Sequence, residues 1–339
     1  MVSVLHLLPV DADFQTARSV ELLGRHLGAD YRVEVRTIGR AGTYRNEIAA
    51  AFALRPARDF DIVHAWGITP FTAAALVCRA NLVFSPTDPL TGRQVRWLRA
   101  ASGYREFNCV VPSATLNRSL VERGLPNDRV HLIRPGVDFS RVKRRRNDEL
   151  RAQLNLASDD FVLLAPGQST RGANHVDALW ATAILHHLDP RYKLLLWGQG
   201  PDLDRVIRFR QRMANADCLR VAQPLVGRTL DFEDLLPATD MVVISATGLT
   251  QTLPVVIAMA AGLPIASTVT YSISELLEDH HTALMTRPGS PQTLARRILE
   301  LREDARLQWQ LADTARTEAY EYHALTRFID QHRALYTRL

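Results

Sequence analysis

Several residues that could bind an anion lie in a loop between an apolar run and a helix-like segment. In the stretch APGQSTRGANHVDAL, Gly167 permits close backbone approach to a ligand, and Arg171 offers a planar fork of N–H donors. Helix N-termini also attract phosphate groups. The pattern therefore predicts an anion site, and a plain loop with a solvated arginine is the alternative.

Two further loops have a similar setting. In SATGLTQTLPVV, Thr250 and Thr252 supply hydroxyls before a helix whose first N–H groups can cradle a phosphate. A buried helix with a threonine cap is the alternative there. In LWGQGPDLDRV, Gly198 and Gly200 permit a tight turn beside a ligand. Leu203 replaces the third glycine of the dinucleotide-binding fingerprint, which argues against a dinucleotide-dependent oxidoreductase.

In the first half of the chain, two polar residues follow strand-like runs. His64 lies near the end of DIVHAWG, and Asp88 lies in FSPTDPL. Either side chain could reach a ligand, and the carboxylate could accept a proton from a hydroxyl of an acceptor. The alternatives are a buried structural histidine and an aspartate that shapes a turn.

Basic residues cluster at two places. Arg93, Arg96 and Arg99 share one face of a predicted helix, which is either solvated or in contact with an anionic membrane surface or a polyanionic acceptor. Residues 141–146 form a basic run that is either a solvated linker or a contact with an anionic lipid or an acidic polymer. The formal net charge of +5 does not by itself indicate nucleic-acid binding.

The elements that position these loops alternate regularly. Apolar strand-like runs such as DIVHAWG, FVLLAPG and MVVISA are separated by helical segments. Continuous apolar strands with helices between them predict doubly wound parallel sheets, in which ligands bind at the carboxyl ends of the strands. The break after Pro135-Gly136 predicts two domains, residues 1–138 and 139–318, followed by a helical tail over 319–339.

The remaining composition narrows the class of protein. The three cysteines have no spacing typical of a disulfide framework or zinc site, and the adjacent histidine pairs at 186–187 and 280–281 point apart on a helix. We therefore expect no metal. No apolar run reaches the roughly 18 residues of a membrane span, and the N-terminal run is interpreted as a strand. A cytoplasmic protein, at most peripheral to a membrane, is expected.

Together the segments resemble retaining GT-B glycosyltransferases of the large family 4 group. The resemblance is carried by LLPATDMVVISAT, PVVIAMAAGLPIAST and SELLEDHHTALMTRPGSPQTLARRI in that order, with VHLIRPGVDFSRV and DIVHAWG earlier in the chain. It implies two Rossmann-like domains facing a central cleft. It also implies sugar transfer with retention from a nucleotide-diphosphate sugar in the second domain to a carbohydrate or lipid-linked acceptor in the first. No metal or cofactor is implied, and the tail would pack on the first domain.

The donor positions that follow from this resemblance only partly match the family. The predicted donor-binding residues are Gly167, Gln168, Arg171, Gly198, Gly200, Thr250, Thr252, Leu253 and Glu275. The two glutamate positions of the family fall on Leu249 and Ile257, inside residues 241–274, which are all uncharged. Losing two hydrogen bonds to charged groups would weaken donor binding by roughly two to four decades. A divergent glycosyltransferase and a non-catalytic GT-B binding or partner module are the two hypotheses.

Overall fold

The computed structural model describes residues 1–38, 60–88, 90–213, 216–226, 230–248 and 251–339. The first sheet consists of β1 Val2–Pro9, β2 Tyr31–Ile38, β3 Ile62–Trp66, β4 Asn81–Ser85, β5 Phe107–Val111 and β6 Val130–Leu132. All described strand pairs are parallel, in the order β2-β1-β3-β4-β5-β6. Connections leave β1 and β3 in opposite directions, which makes this pair the topological switch point of the sheet.

Helices cover the first sheet. They are α1 Phe14–His26, α2 Ile68–Val77, α3 Gly92–Tyr104 and α4 Ala114–Glu122, with a short 3-10 helix at Asn127–Arg129. Asp13 begins α1 by accepting a hydrogen bond from the Thr16 N–H at 2.7 Å. Thr91 and Gln94 form a reciprocal capping box at the start of α3. Strands β3 and β5 are buried along their whole length, in agreement with sequences that are apolar except for one polar residue in each strand.

The second sheet is also entirely parallel in its described strand pairs. Its strands are β7 Phe161–Ala165, β8 Tyr192–Leu196, β9 Leu219–Val221, β10 Met241–Ile244, β11 Ile265–Thr268 and β12 Leu284–Thr286. The order β12-β11-β10-β7-β8-β9 places the switch point between β7 and β10. The predicted pair of doubly wound parallel sheets is thus confirmed.

Seven helices are described with this second sheet. They are α5 Asp148–Gln153, α6 His175–Leu188, α7 Leu203–Gln211, α8 Ala222–Val226, α9 Leu253–Ala260, α10 Pro291–Glu303 and α11 Ala305–His323, with 3-10 helices at Ala216–Cys218 and Phe232–Ala238. Every residue of α9 is buried, because the helix carries apolar side chains on all sides. No helix in the described part of the chain is long and apolar enough to cross a bilayer.

The last helix, α12 Leu325–Thr337, belongs to the first unit. Contacts divide the chain into a unit of Met1–Gly136 with Leu325–Leu339 and a unit of Val137–Ala324. Phe328 and Ile329 are buried in the same cluster as Leu23 of α1. Gly136 permits this packing, because a Cβ there would lie 2.5 Å from the Phe328 Cβ. Helix α11 continues to His323, past the predicted boundary at residue 318.

Candidate functional site

The loops after β7 and β10 meet at the switch point of the second sheet. Gly167 has φ +77°, and a Cβ on it would lie 3.0 Å from the Pro254 Cγ at the start of α9. Only a residue without a side chain allows this approach while holding a left-handed backbone. The glycine predicted to bring backbone close to a ligand therefore lies against the helix that follows β10.

Two glutamine side chains connect these loops. The Gln251 Nε2 donates a hydrogen bond to the Gln168 Oε1 at 3.0 Å. The Gln251 Oε1 is buried and has no hydrogen-bond partner. A buried acceptor without a partner costs free energy, and a ligand hydroxyl or N–H group could satisfy it. Gln168 was predicted from the family resemblance, whereas nothing in the sequence pattern singled out Gln251.

The loop after β8 supports the loop after β7 through backbone contacts. The Ser169 N–H donates to the Gln199 carbonyl at 2.7 Å, and the Asp202 N–H donates to the Ser169 carbonyl at 2.8 Å. Gly200 has φ +116°, and a Cβ there would lie 2.4 Å from the Ser169 carbonyl oxygen. The predicted turn glycine is therefore required because two backbones touch.

Gly198 has a packing reason of its own. Its φ is +96°, and a Cβ there would lie 2.8 Å from the Val221 Cγ1 on β9. The Trp197 Nε1 donates to the Leu230 carbonyl at 2.8 Å and keeps the end of β8 in place. Both glycines of LWGQG thus shape the loop, and their predicted contact with a donor stays a prediction.

His175 at the start of α6 contacts the loop after β7 through Ser169. Its Nδ1 lies 2.9 Å from the Ser169 Oγ, and the side chain is buried. Burial lowers the pKa of His175 to about 4, although a hydrogen bond with the Pro166 backbone and the Asp202 carboxylate oppose this. The ring is therefore neutral at pH 7 and positions the Ser169 loop.

Arg171 projects from a loop that is anchored on both sides. The Thr247 N–H donates to the Gly172 carbonyl at 2.9 Å, and the Ser245 Oγ lies 2.8 Å from the Asn174 carbonyl oxygen. Arg171 itself is exposed and makes no hydrogen bond or ion pair with the residues the structure describes. A guanidinium without an internal partner, on an ordered loop, is available to an anionic ligand.

The start of α9 lacks the threonine cap that one of the two predictions for this loop included. Thr252 is the N-cap residue, but its side chain does not cap the helix. Leu253 and Ile257 are each 1% exposed, so both side chains lie in the core. Ile257, at a glutamate position of the family, is thus a core residue as its apolar type suggests. Leu249 and Thr250 lie outside the described residues.

Glu275 follows β11, the neighbour of β10. It is half-buried, in a turn where the Ser274 N–H donates to the Thr270 carbonyl at 2.8 Å. In the described residues of the second unit, it is the first acidic side chain after the uncharged segment. Its predicted contact with a donor stays a prediction.

His64 in the first unit is fully buried. Its Nδ1 lies 2.6 Å from the Tyr336 hydroxyl, its Nε2 lies 2.8 Å from the Ser85 Oγ, and its ring stacks on Trp66 at 4.4 Å. Burial, with some repulsion from neighbouring histidines, lowers the pKa of His64 well below 6.5. This placement matches the alternative of a structural histidine, and a catalytic role would require both ring nitrogens to change partners.

Asp88 and the arginines of α3 are exposed. Asp88 follows β4 and accepts a hydrogen bond from the Thr87 hydroxyl at 3.2 Å. Arg93, Arg96 and Arg99 all lie on the outer face of α3. The roles predicted for these four residues stay predictions. Among the residues that the structure describes, no group of three or more His, Cys, Asp or Glu could hold a metal ion.

Sequence reasoning missed two buried histidines beside His64. The Trp66 Nε1 donates to the His6 Nδ1 at 3.1 Å, and the His332 Nδ1 lies 2.9 Å from the Phe328 carbonyl oxygen. Burial lowers the pKa of His6 to about 3 and that of His332 to about 4. The Nε2 atoms of both rings are buried without a partner. The expected packing of the tail on the first domain was a signal for His332, but it did not show where either histidine would lie.

The two doubly wound sheets, with an anchored arginine loop at the switch point of the second, define a two-unit α/β protein of the Rossmann-like type. The chain belongs to the glycosyl transferases group 1 family, whose model matches residues 146–318, about half of the chain. The glycosyltransferase family 4 model matches residues 18–141. The resemblance to GT-B glycosyltransferases of the family 4 type is thereby confirmed.

Individual relatives are more distant. N-acetyl-alpha-D-glucosaminyl L-malate synthase of Bacillus anthracis is 22% identical over 226 residues, which cover 64% of this chain and 58% of that protein. D-inositol 3-phosphate glycosyltransferase 1 of Catenulispora acidiphila is 28% identical over 190 residues, which cover 53% of this chain and 45% of that protein. The chain spans about half the length of these curated relatives.

Among solved structures, HepE of Anabaena in complex with UDP-glucose is similar over 100% of both chains. The TM-score is 0.82 and the sequence identity is 17%. At this identity the similarity shows the fold, which agrees with the predicted GT-B class.

Proposed function

We propose that the protein transfers a sugar from a nucleoside-diphosphate sugar to a hydroxyl-bearing acceptor, with retention of configuration and without a metal ion. Membership of the group 1 family supports the reaction class, and HepE, bound to UDP-glucose, supports a uridine nucleotide as the first donor to test. The observation that carries the proposal is the anchored loop at the second switch point. There, an arginine without an internal partner lies in the loop that leads into α6, beside a glycine that permits close backbone approach.

The donor would bind to the second unit. Arg171 would hold the diphosphate with its guanidinium, while Gly167 would let the backbone approach the phosphates. The buried Gln251 Oε1 would accept a hydrogen bond from the nucleotide sugar. A neutral amide would then replace the carboxylates that the family has in this region. A neutral hydrogen bond contributes about 1 kcal/mol less than one to a carboxylate, so we expect donor affinity to be about fivefold lower for each carboxylate that an amide replaces.

The acceptor would bind to the first unit. This assignment follows the predicted division into residues 1–138 and 139–318, with the tail over 319–339 on the first domain. Asp88 would accept the proton of the attacking hydroxyl, for which its exposed carboxylate after β4 is suited. Arg93, Arg96 and Arg99 would contact an anionic membrane surface, a role supported by their shared exposed face beside the partly exposed Trp97.

Replacing Arg171 with alanine is expected to weaken UDP binding about ten- to hundredfold, because a charge-assisted hydrogen bond to the diphosphate is lost. Isothermal titration of UDP against both proteins measures the change. Arg306→Ala is the matched control, since Arg306 is an exposed arginine on α11 of the same unit. Equal affinities of the Arg171 variant and the parent protein would refute the role of Arg171.

The transfer reaction has a separate test. Thermal-shift titrations with UDP, GDP, ADP and their sugars should reveal at least one stabilising nucleotide, followed by slow hydrolysis of the matching sugar donor. Asp88→Asn should reduce transfer and leave nucleotide affinity unchanged. No response to any of these nucleotides would contradict the proposed reaction.

A further inference from the structure

A small cavity lies at the carboxyl ends of β3, β4, β5 and β6 in the first unit, beside the start of α1, the helix that follows β1. Its volume is about 40 Å³, with walls from the first turns of α1, from the segment after β4 and from α12. A water molecule needs roughly 10–15 Å³ of such space, so the cavity has room for about three waters or one hydroxymethyl arm. The position is the switch point of the sheet, where doubly wound folds bind their ligands.

His332 of α12 lines this cavity and has an unsatisfied nitrogen. The ring has no exposed surface, and its Nδ1 lies 2.9 Å from the Phe328 carbonyl oxygen. A carbonyl can only accept, so Nδ1 carries the proton and Nε2 presents a bare lone pair. This Nε2 has no hydrogen-bond partner. A buried acceptor in the wall of a cavity is suited to receive a hydrogen bond from a group that enters it.

The other polar atoms around the cavity select the kind of group. Hydroxyls come from Thr16, Ser19, Ser85 and Thr87, and an amide comes from Gln15. The one carboxylate among the described lining residues is Asp13. None of the lining residues that the structure describes is lysine or arginine. A phosphate or carboxylate would meet the Asp13 charge and the His332 lone pair with no cation to balance it. A neutral hydroxyl can donate its one proton to either acceptor and adds no negative charge.

We infer that His332 is a specificity-determining residue that accepts a hydrogen bond from a hydroxyl or hydroxymethyl group of a neutral sugar acceptor. This inference rests on the proposed function, because it names the chemical class of the acceptor in that reaction. It assigns a ligand contact to α12, whereas the family resemblance implied only that the tail packs on the first domain. The inference also means that the acceptor's sugar is not bound by the arginines of α3, since no described lysine or arginine lines the cavity.

The test uses a matched pair of variants in the full-length chain. His332→Asn retains an N–H group near the Nδ1 position, which can bond the Phe328 carbonyl, but has no atom at the Nε2 position. His332→Gln places an amide at the Nε2 position. Saturation-transfer NMR with methyl α-D-glucopyranoside is expected to show about tenfold weaker binding to the asparagine variant, the effect of one lost hydrogen bond. The glutamine variant should stay within about threefold of the parent protein.

The NMR signal of the His332 ring distinguishes a direct contact with the sugar from a purely structural role of this histidine. In the parent protein, the ¹⁵N resonance of the His332 Nε2 should move upfield when methyl α-D-glucopyranoside is added, because its lone pair accepts a hydrogen bond. Glucose 6-phosphate should bind more weakly than the neutral glucoside. Titration of UDP should give the same affinity for all three proteins, which also shows that the second unit of each variant remains folded.

Three outcomes would overturn the inference. They are an unmoved Nε2 resonance, equal binding of the glucoside to the parent protein and the asparagine variant, and tighter binding of glucose 6-phosphate. Absence of glucoside binding to the parent protein counts as the first of these. If UDP binds while any of these results is found, only the role of His332 fails. If UDP does not bind to the parent protein, the proposed transfer from a uridine nucleotide sugar is contradicted, whatever the result for His332.

Discussion

Lowering the pH from 5.5 to 4.5 is expected to reduce the free energy of unfolding by several kcal/mol, because four buried histidines, three of them in one cluster of the first unit and His175 in the second, protonate mainly in the unfolded chain. His6, His64 and His332 are fully buried in one cluster of the first unit, with ring centroids 5.3 Å apart for the first two and 5.9 Å for the last two. Each contributes roughly 1.4 kcal/mol per pH unit between its lowered folded pKa and the unfolded value near 6.5.

The direction follows from which state binds more protons. The folded pKa is about 3 for His6, about 4 for His332 and well below 6.5 for His64, each lowered chiefly by burial. Between pH 6.5 and these values, the unfolded chain holds protons that the folded protein does not. Stability is therefore fully present above pH 6.5 and falls as the solution becomes more acidic.

Urea denaturation at the two pH values measures this loss. His6→Gln removes one of the three rings and keeps an oxygen that can accept the Trp66 N–H, so the loss should shrink by about 1.4 kcal/mol per pH unit. Asp61, whose pKa is lowered by hydrogen bonds from Ser3, contributes in the same direction at lower pH and is unchanged in the variant. An undiminished loss in the His6 variant would contradict the argument.

Replacing Gly200 with alanine is expected to destabilise the protein by about 3–4 kcal/mol, combining overpacking with a left-handed backbone that alanine resists. The added Cβ would lie 2.4 Å from the carbonyl oxygen and 2.5 Å from the nitrogen of Ser169. These are backbone atoms and cannot rotate away. Because the loop before Arg171 would have to move, UDP binding should weaken as well.

Gly289→Ala is the matched control for this substitution. Gly289 has φ +74°, but a Cβ there would have no neighbour within 4 Å. Its cost should be only that of the backbone conformation, about 1–2 kcal/mol, with UDP affinity unchanged. Chemical denaturation of both variants gives the difference. Equal destabilisation by Gly200→Ala and Gly289→Ala would show that the close contact between the loops after β7 and β8 does not require a glycine at position 200.

The sequence predicted the parts of this molecule that depend on local pattern. Continuous apolar runs identified buried parallel strands, and the loops with glycine and arginine were found because chemistry at strand ends uses few residue types. Ile257 lies in the core, as expected for an apolar residue in an uncharged segment, although the family places a glutamate there. Gly200 was singled out as a turn residue, but its contact with Ser169 could not be known before the two loops were placed.

The histidine cluster could not be predicted, because its members come from distant parts of the chain. His64 and Tyr336 are separated by 272 positions and meet only when α12 lies on the first sheet. A histidine in an apolar run gives no indication of whether it faces a cavity. The Gln168–Gln251 contact has the same origin, since two loops that follow different strands bring the side chains together.

The placement of α12 also determines the order in which the molecule can be completed during synthesis. The second unit is one continuous segment, Val137–Ala324, whereas the first unit combines Met1–Gly136 with Leu325–Leu339. About 200 residues must leave the ribosome after the first sheet before its last helix emerges, which takes roughly 10–40 s at cellular rates. During that interval the nascent first unit exposes the apolar surface that Phe328 and Ile329 later cover. Hydrogen exchange on stalled nascent chains should find the second unit protected first, and earlier protection of α1 would contradict this order.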